Sequence, residues 1–199
     1  MMSYSGVVLA GGSSERMGRD KRFLSLNGTS LLVWVLERIR PLVTELIVVT
    51  QDPGPLDGVD ARVVSDRYPG MGVLAGVHAG LKATRGDWAF VVAGDMPFLN
   101  ADLLQAMARQ ADPAACDVVV PRWREEFEPL HALYRTGVCA EAAERALRDR
   151  RRRIVAFYPD VRVCVMPETQ VHLWDPSGDS FFNVNTPKDW EMAQGRLAR

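Results

Sequence analysis

Short apolar runs alternate with amphipathic stretches along most of this chain. Runs at 4–10, 45–50, 61–65, 88–93 and 117–120 have the length and β-branched content of strands. The run at 88–93, WAFVVA, has no polar position at all, which predicts a central strand covered on both faces. Between these runs the apolar spacing changes to that of helices. A helix is expected over 30–42, with Ser30 as its cap and Pro41 near its end. Two more are expected at 73–83 and 100–110, the latter capped by Asn100 with Asp102 in its first turn. Beyond Pro121 the order is less regular: a strand at 127–134, a helix at 140–150, a strand at 161–166 and a last helix opened by Pro187 and running to about Leu197. Strand–helix–strand alternation predicts an α/β layered fold with a mostly parallel sheet and right-handed crossovers.

The 199 residues show no internal repeat, low-complexity tract or linker, so a single domain spanning 1–199 is expected. The apolar fraction of 47% and charged fraction of 25% are those of an ordinary globular chain. A formal net charge of -1 gives no global reason to expect nucleic acid or an anionic membrane as partner, so any anion site must be local. No segment approaches the ~20 apolar residues of a membrane span, and the N-terminus reads as a strand rather than a leader. Cys116, Cys139 and Cys164 are scattered, odd in number and without a C-x-x-C pair, which suits buried thiols in a reducing cytoplasm.

Candidate chemistry gathers in loops that follow strands. The first strand runs into Leu9-Ala10-Gly11-Gly12-Ser13-Ser14-Glu15-Arg16-Met17-Gly18-Arg19-Asp20-Lys21. Ligands of open α/β sheets bind at the carboxyl ends of strands, where this loop must lie. Adjacent glycines let backbone N–H groups approach an anion, and Arg16 and Lys21 add cationic donors for phosphate. The spacing is neither that of a P-loop nor that of a dinucleotide fingerprint. Taken alone, Gly-Gly is a tight turn.

The apolar strand ends in Gly94-Asp95-Met96-Pro97, on the same sheet edge. Asp95 suits a magnesium ion held against a triphosphate, since Mg²⁺ takes one or two protein carboxylates plus phosphate oxygens and waters. Read by itself, it is a carboxylate capping the turn before Pro97. Asn183 and Asn185 offer donors and acceptors without charge, while Thr186 is placed to cap the helix that Pro187 opens. Arg150–Arg153, with Arg145 and Arg148 before them, form the strong basic cluster of the chain. A solvated helix end accounts for them by default; the sharper reading is a landing place for an anionic second substrate. His131 has no acid–base partner nearby in sequence and reads as structural.

The pattern Leu-Ala-Gly-Gly-x-Ser-x-x-Met-Gly-x-Asp-Lys at 9–21 resembles the signature of the molybdenum cofactor guanylyltransferases, within the nucleotide-diphospho-sugar transferase superfamily. The Gly-Asp-x-Pro segment at Asp95, the Glu128-Pro129-Leu130-His131-Ala132-Leu133-Tyr134 stretch and Asn183-Val184-Asn185-Thr186-Pro187 extend the likeness. It implies a three-layer α/β/α, Rossmann-like fold. It also implies GTP and molybdopterin, or molybdenum cofactor, as substrates, with Mg²⁺ as cofactor and transient contact with delivery or acceptor proteins. By the same likeness Leu9, Ala10, Gly11, Gly12, Lys21, Gln51, Asp66 and Asp95 would bind nucleotide. Arg16, Lys21 and Asp95 would carry catalysis, and Asn183 and Asn185 would meet the acceptor. Two positions depart from relatives: Val73 stands where Pro is usual, and Gln51 where an Asn touches guanine.

The absence of Ser-His-Asp, Cys-His or paired-carboxylate signatures fits transfer to an already ionised phosphate, which needs no general base. Three other readings stay open. Cytidylyltransferases of the superfamily usually carry Leu-Ala-Ala-Gly, so Gly11 is expected to favour a purine. Sugar-1-phosphate guanylyltransferases are generally longer. A noncatalytic GTP-binding module could dispense with the metal carboxylate. A nicotinamide dehydrogenase is disfavoured by the missing fingerprint and ribose-binding acid.

Overall fold

The computed structural model describes residues 2–11, 24–26, 28–51, 60–68 and 70–197. The wholly apolar run forms a strand over Trp88–Ala93, and every residue in it is buried. In chain order the strands are β1 (Tyr4–Leu9), β2 (Ser25–Leu26), β3 (Thr29–Ser30), β4 (Glu45–Val49), β5 (Arg62–Val64), β6 (Trp88–Ala93), β7 (Val118–Trp123), β8 (Glu126–Phe127), β9 (His131–Arg135) and β10 (Val163–Met166). The helices are α1 (Leu31–Ile39), α2 (Val73–Ala83), α3 (Ala101–Gln110), α4 (Thr136–Arg148), α5 (Glu168–Val171) and α6 (Pro187–Leu197).

The main sheet runs β10-β7-β9-β6-β1-β4-β5, with β8 paired to β7. Neighbours are parallel except at β9, which lies antiparallel between β6 and β7, and at β8, which is antiparallel to β7. The chain moves outward from β1 to β4 and β5, then returns to place β6 on the other side of β1. This makes the carboxyl ends of β1 and β6 a switch point, where adjacent loops diverge and leave a crevice.

Alternate residues explain the three layers. Val8, Val48, Phe90 and Val92 face one side with Leu32, Val35 and Leu36 of α1 and Leu103, Leu104 and Met107 of α3. Val7, Ile47, Val49 and Val91 face the other, against Leu74, Val77 and Leu81 of α2 and the alanine-rich stripe of α4. A third cluster joins Leu26, Leu31, Val184 and Ala193, and so packs the C-terminal helix against the β2–β3 hairpin.

Local chemistry sets most boundaries. The Ser30 hydroxyl accepts from the Val33 N–H at 3.3 Å. The Asn100 amide oxygen accepts from Asp102 and Leu103 at 2.9 and 3.1 Å. Both are the caps expected from sequence. Pro41 lacks an N–H, so the helix expected to reach residue 42 stops at Ile39, and Arg40–Leu42 tighten into a 3₁₀ turn. The strand expected over 127–134 is two strands: Pro129 cannot continue a ladder, and the chain leaves the sheet at 128–130. The helix expected from residue 140 begins at Thr136, whose hydroxyl donates to Gly86 O at 2.8 Å. It ends in a left-handed Arg150, with Arg150 N–H on Leu147 O and Arg151 N–H on Ala146 O.

At the amino edge of the sheet, Asp117 is buried and accepts from Arg162 Nε and Nη2 at 2.9 and 2.8 Å, and from Arg135 at 3.2 Å. The Arg162 hydrogen bond, opposed by burial and aided by further bonds from Arg162 and Arg135, holds its carboxyl at about 2, below the ordinary 3.8. A depressed carboxylate contributes stability above its unfolded value that is lost as pH falls through its folded one. Asp117 is therefore expected to contribute about 2 kcal/mol at neutral pH, lost between about pH 4 and pH 2. Urea titrations of the native chain and Asp117→Asn at pH 6, 4 and 3 check this. A difference between them that persists undiminished at pH 3 would count against it.

The β7–β8 hairpin turns through Arg124 and Glu125, both at positive φ (47° and 66°), without the Asn-Gly that such turns favour. Relieving this strain with Glu125→Gly is expected to raise stability by about 0.5–1 kcal/mol, measured by denaturant unfolding. A loss of stability would show that the Glu125 side chain contributes more than its backbone costs.

Candidate active site

At the switch point two loops are tied by main-chain bonds. The Gly94 N–H donates to Leu9 O at 2.9 Å, and the Ala10 N–H donates to Val49 O at 2.9 Å. A Cβ on Gly94 would sit 3.2 Å from Leu9 O and 3.4 Å from Leu32 Cδ1, so a side chain there would press the loops apart. Leu9 is half-buried, Ala10 buried and Gly11 exposed, and a Cβ on Gly11 would meet nothing within 4 Å among the described residues. Gly12, Arg16 and Lys21 lie outside the described residues.

Asp95 stands half-buried one residue past Gly94. Its position is fixed through the backbone: its carbonyl accepts from the Val184 N–H at 2.9 Å, and Pro97 O accepts from the Trp34 indole at 2.8 Å. The Val184 bond carries the Asn183–Asn185 segment to the Asp95 turn from far along the sequence. Asn183 Nδ2 donates to Phe181 O at 3.0 Å. Thr186 and Asp189 cap α6 reciprocally, the Asp189 N–H on Thr186 Oγ1 at 3.2 Å and the Thr186 N–H on Asp189 Oδ2 at 2.8 Å. Thr186 thus caps, as its place before Pro187 predicts.

On the other side of the crevice, Gln51 follows β4 and Asp66 follows β5. The Gln51 amide donates to Asp66 Oδ2, and the Tyr68 N–H donates to Asp66 Oδ1 at 3.0 Å. The structure therefore joins two residues that the sequence offered separately. Gly72, the residue before α2, has φ +71°, a conformation a side chain would strain. Beside it runs the arginine cluster, with Arg152 O 3.9 Å from where a Gly72 Cβ would be. Arg148 is paired with Glu144, and Arg151 with Ala156 O and Asp160, while Arg150, Arg152 and Arg153 are exposed.

His131 lies at the start of β9, fully buried, its ring 5.1 Å from Phe181. Neither ring nitrogen has a hydrogen-bond partner among the described residues. Burial, partly opposed by Asp175, lowers it to about 4, so it is neutral at pH 7. It cannot shuttle protons to a solvent-facing ligand, in keeping with its structural reading.

Among the described residues no three His, Cys, Asp or Glu side chains gather to hold a metal. Nor is any helix among them long and apolar enough to cross a membrane. The three cysteines are free thiols, Cys116 and Cys139 buried and Cys164 half-buried.

A mostly parallel sheet with loops converging at a β1/β6 switch point, and helices on both faces, is the nucleotide-diphospho-sugar transferase fold. The chain is a nucleotidyltransferase. It belongs to the family of the MobA-like NTP transferase domain, which matches residues 6–162. It is similar to a molybdenum cofactor guanylyltransferase from Desulfosudis oleivorans, 33% identical over 198 residues, 99% of this chain and 97% of that one. Among solved structures it resembles molybdopterin-guanine dinucleotide biosynthesis protein A from Archaeoglobus fulgidus, with a TM-score of 0.82 and 30% identity over 98% of each chain. The fold is shared with 2-C-methyl-D-erythritol 4-phosphate cytidylyltransferase from Thermus thermophilus, with a TM-score of 0.69 and 18% identity over 97% and 98% of the two chains.

Proposed function

We propose that this chain acts as one cytoplasmic catalytic domain that transfers GMP from GTP to the terminal phosphate of molybdopterin or its molybdenum-bearing form. A phosphate oxygen of the acceptor bonds to the α-phosphorus, the α–β bridging bond breaks, and pyrophosphate leaves. The observation that carries this reading is the joining of three loops at one sheet edge, through the Gly94–Leu9 and Val184–Asp95 backbone bonds.

Leu9, Ala10, Gly11, Gly12 and Lys21 would receive the nucleotide from the β1 side, with Gln51 and Asp66 toward the base and ribose. Arg16 and Lys21 would offset charge on the phosphates, positioning rather than proton transfer being the main catalytic device. Asn183 and Asn185 would meet the acceptor. Asp95, an oxygen donor without a surrounding cage of carboxylates among the described residues, fits Mg²⁺, which prefers few protein ligands plus phosphate oxygens and waters. When bound, that ion would neutralise charge developing on the leaving pyrophosphate. A phosphate nucleophile ionised at neutral pH needs no base, which agrees with the buried, neutral His131.

The test is pyrophosphate release with molybdopterin as acceptor, comparing GTP with CTP, in the native chain and in Gly11→Ala. The native chain is expected to use GTP at least about 10-fold better in kcat/KM, a difference of about 1.4 kcal/mol. Gly11→Ala, which has space for its methyl among the described residues, is expected to fold normally and lose part of that preference. A native preference for CTP would overturn the nucleotide assignment.

A further inference from the structure

Glu128 stands between β8 and β9, where the chain leaves the sheet at its carboxyl edge. Its backbone is fixed on both sides: its N–H donates to Pro121 O at 2.9 Å, and its carbonyl accepts from the His131 N–H at 3.0 Å. Two residues on, Leu130 O accepts from the Ala93 N–H at 3.2 Å, which ties this corner to the strand that leads into Asp95. Gln51 and Asp66 lie beyond β1 on the β4–β5 side, so Glu128 occupies the opposite half of the crevice edge.

The Glu128 side chain is half-buried, yet its carboxylate makes no hydrogen bond or ion pair among the described residues. On the paired strand the Arg122 guanidinium lies over the Phe127 ring at 5.1 Å, and no cation figures among the groups acting on Glu128. Burial, with Glu126 as a lesser cause, pushes Glu128 up to about 7. An unpartnered carboxylate drawn out of water is unfavourable in the free protein and becomes favourable when a ligand supplies donors. Its two oxygens accept two parallel N–H bonds, and a 2-aminopyrimidinone edge presents that pair, one ring N–H beside one exocyclic N–H. No set of acids among the described residues gathers here to favour a cation instead.

We infer that Glu128 is a specificity-determining residue that receives the 2-amino and ring N–H edge of the acceptor's pterin; this rests on the acceptor proposed above. Guanine presents the same edge, and the position of Glu128 on the β7–β9 side, away from Gln51 and Asp66, assigns it to the pterin.

The test titrates the full chain, with magnesium and a nonhydrolysable GTP analogue, using the intrinsic fluorescence of 6-carboxypterin and of 6-carboxylumazine, which has oxygen in place of the 2-amino group. The native chain is expected to bind the pterin about 10-fold or more tighter, as for a hydrogen-bond pair to a charged group. Glu128→Gln, isosteric and expected to melt no lower than the native chain, loses or reverses that preference. A native chain that binds no pterin or does not discriminate, or a variant that discriminates as well as the native one, would overturn the assignment. So would Glu128→Gln abolishing a preference for GTP over ITP while leaving pterin binding intact, which would make Glu128 a reader of guanine. Pterin discrimination that persists without GMP transfer to molybdopterin would instead sink the proposed reaction and leave the role of Glu128 standing.

Discussion

Asp95→Ala is expected to lower kcat by about 10³-fold, because a metal ion at a phosphoryl centre contributes several kcal/mol of charge stabilisation. The variant should still fold, since the bonds that hold this corner to β1 and to Val184 run through the backbone of Gly94 and Asp95. GTP affinity without magnesium should change little, while magnesium should no longer raise turnover. Equilibrium GTP binding without magnesium checks the first point, and steady-state pyrophosphate release across a magnesium titration the second. Undiminished magnesium-dependent turnover in Asp95→Ala would remove the metal assignment, whereas GTP binding without any turnover in the native chain would favour a noncatalytic GTP-binding module.

The second large effect concerns stability in mild acid. Buried His131 has a folded value of about 4 against an unfolded 6.5. Between those values the unfolded chain takes up a proton that the folded chain refuses, so stability falls as pH drops from 6.5 to 4. The loss attributable to His131 is about 3 kcal/mol. Buried His78, lowered by desolvation against the pull of Glu144, adds to the slope in the same direction. His131→Phe, which keeps a ring against Phe181, should flatten the His131 share. Urea unfolding of both chains at pH 7, 5.5 and 4.5 separates the contributions, and an unchanged slope in the variant would show that the buried imidazole is not the acid-sensitive group. The Asp117 contribution is lost only below about pH 4, so the two windows do not overlap.

The parallel core was legible from composition along the chain: strands covered on both faces need apolar residues at successive positions, as Trp88–Ala93 has. Ser30 and Asn100 were legible because a side-chain cap acts within three residues of itself. Misread pieces had causes that are local but easily underweighted. Pro129 splits the expected strand, and Pro41 shortens the first long helix. Glu128 carried no signal as a chemical group, because nothing in a sequence shows that a glutamate will be half-buried without a partner.

Short-range physics therefore let the sequence determine the alternation of strands and helices, most caps, and the presence of a Gly-rich loop and an aspartate at strand ends. Tertiary structure alone decided that β9 enters antiparallel between β6 and β7, that the Val184 N–H meets Asp95 O, and that Gln51 reaches Asp66. These contacts join residues far apart in sequence, and only the common burial of both sheet faces brings their loops to one edge.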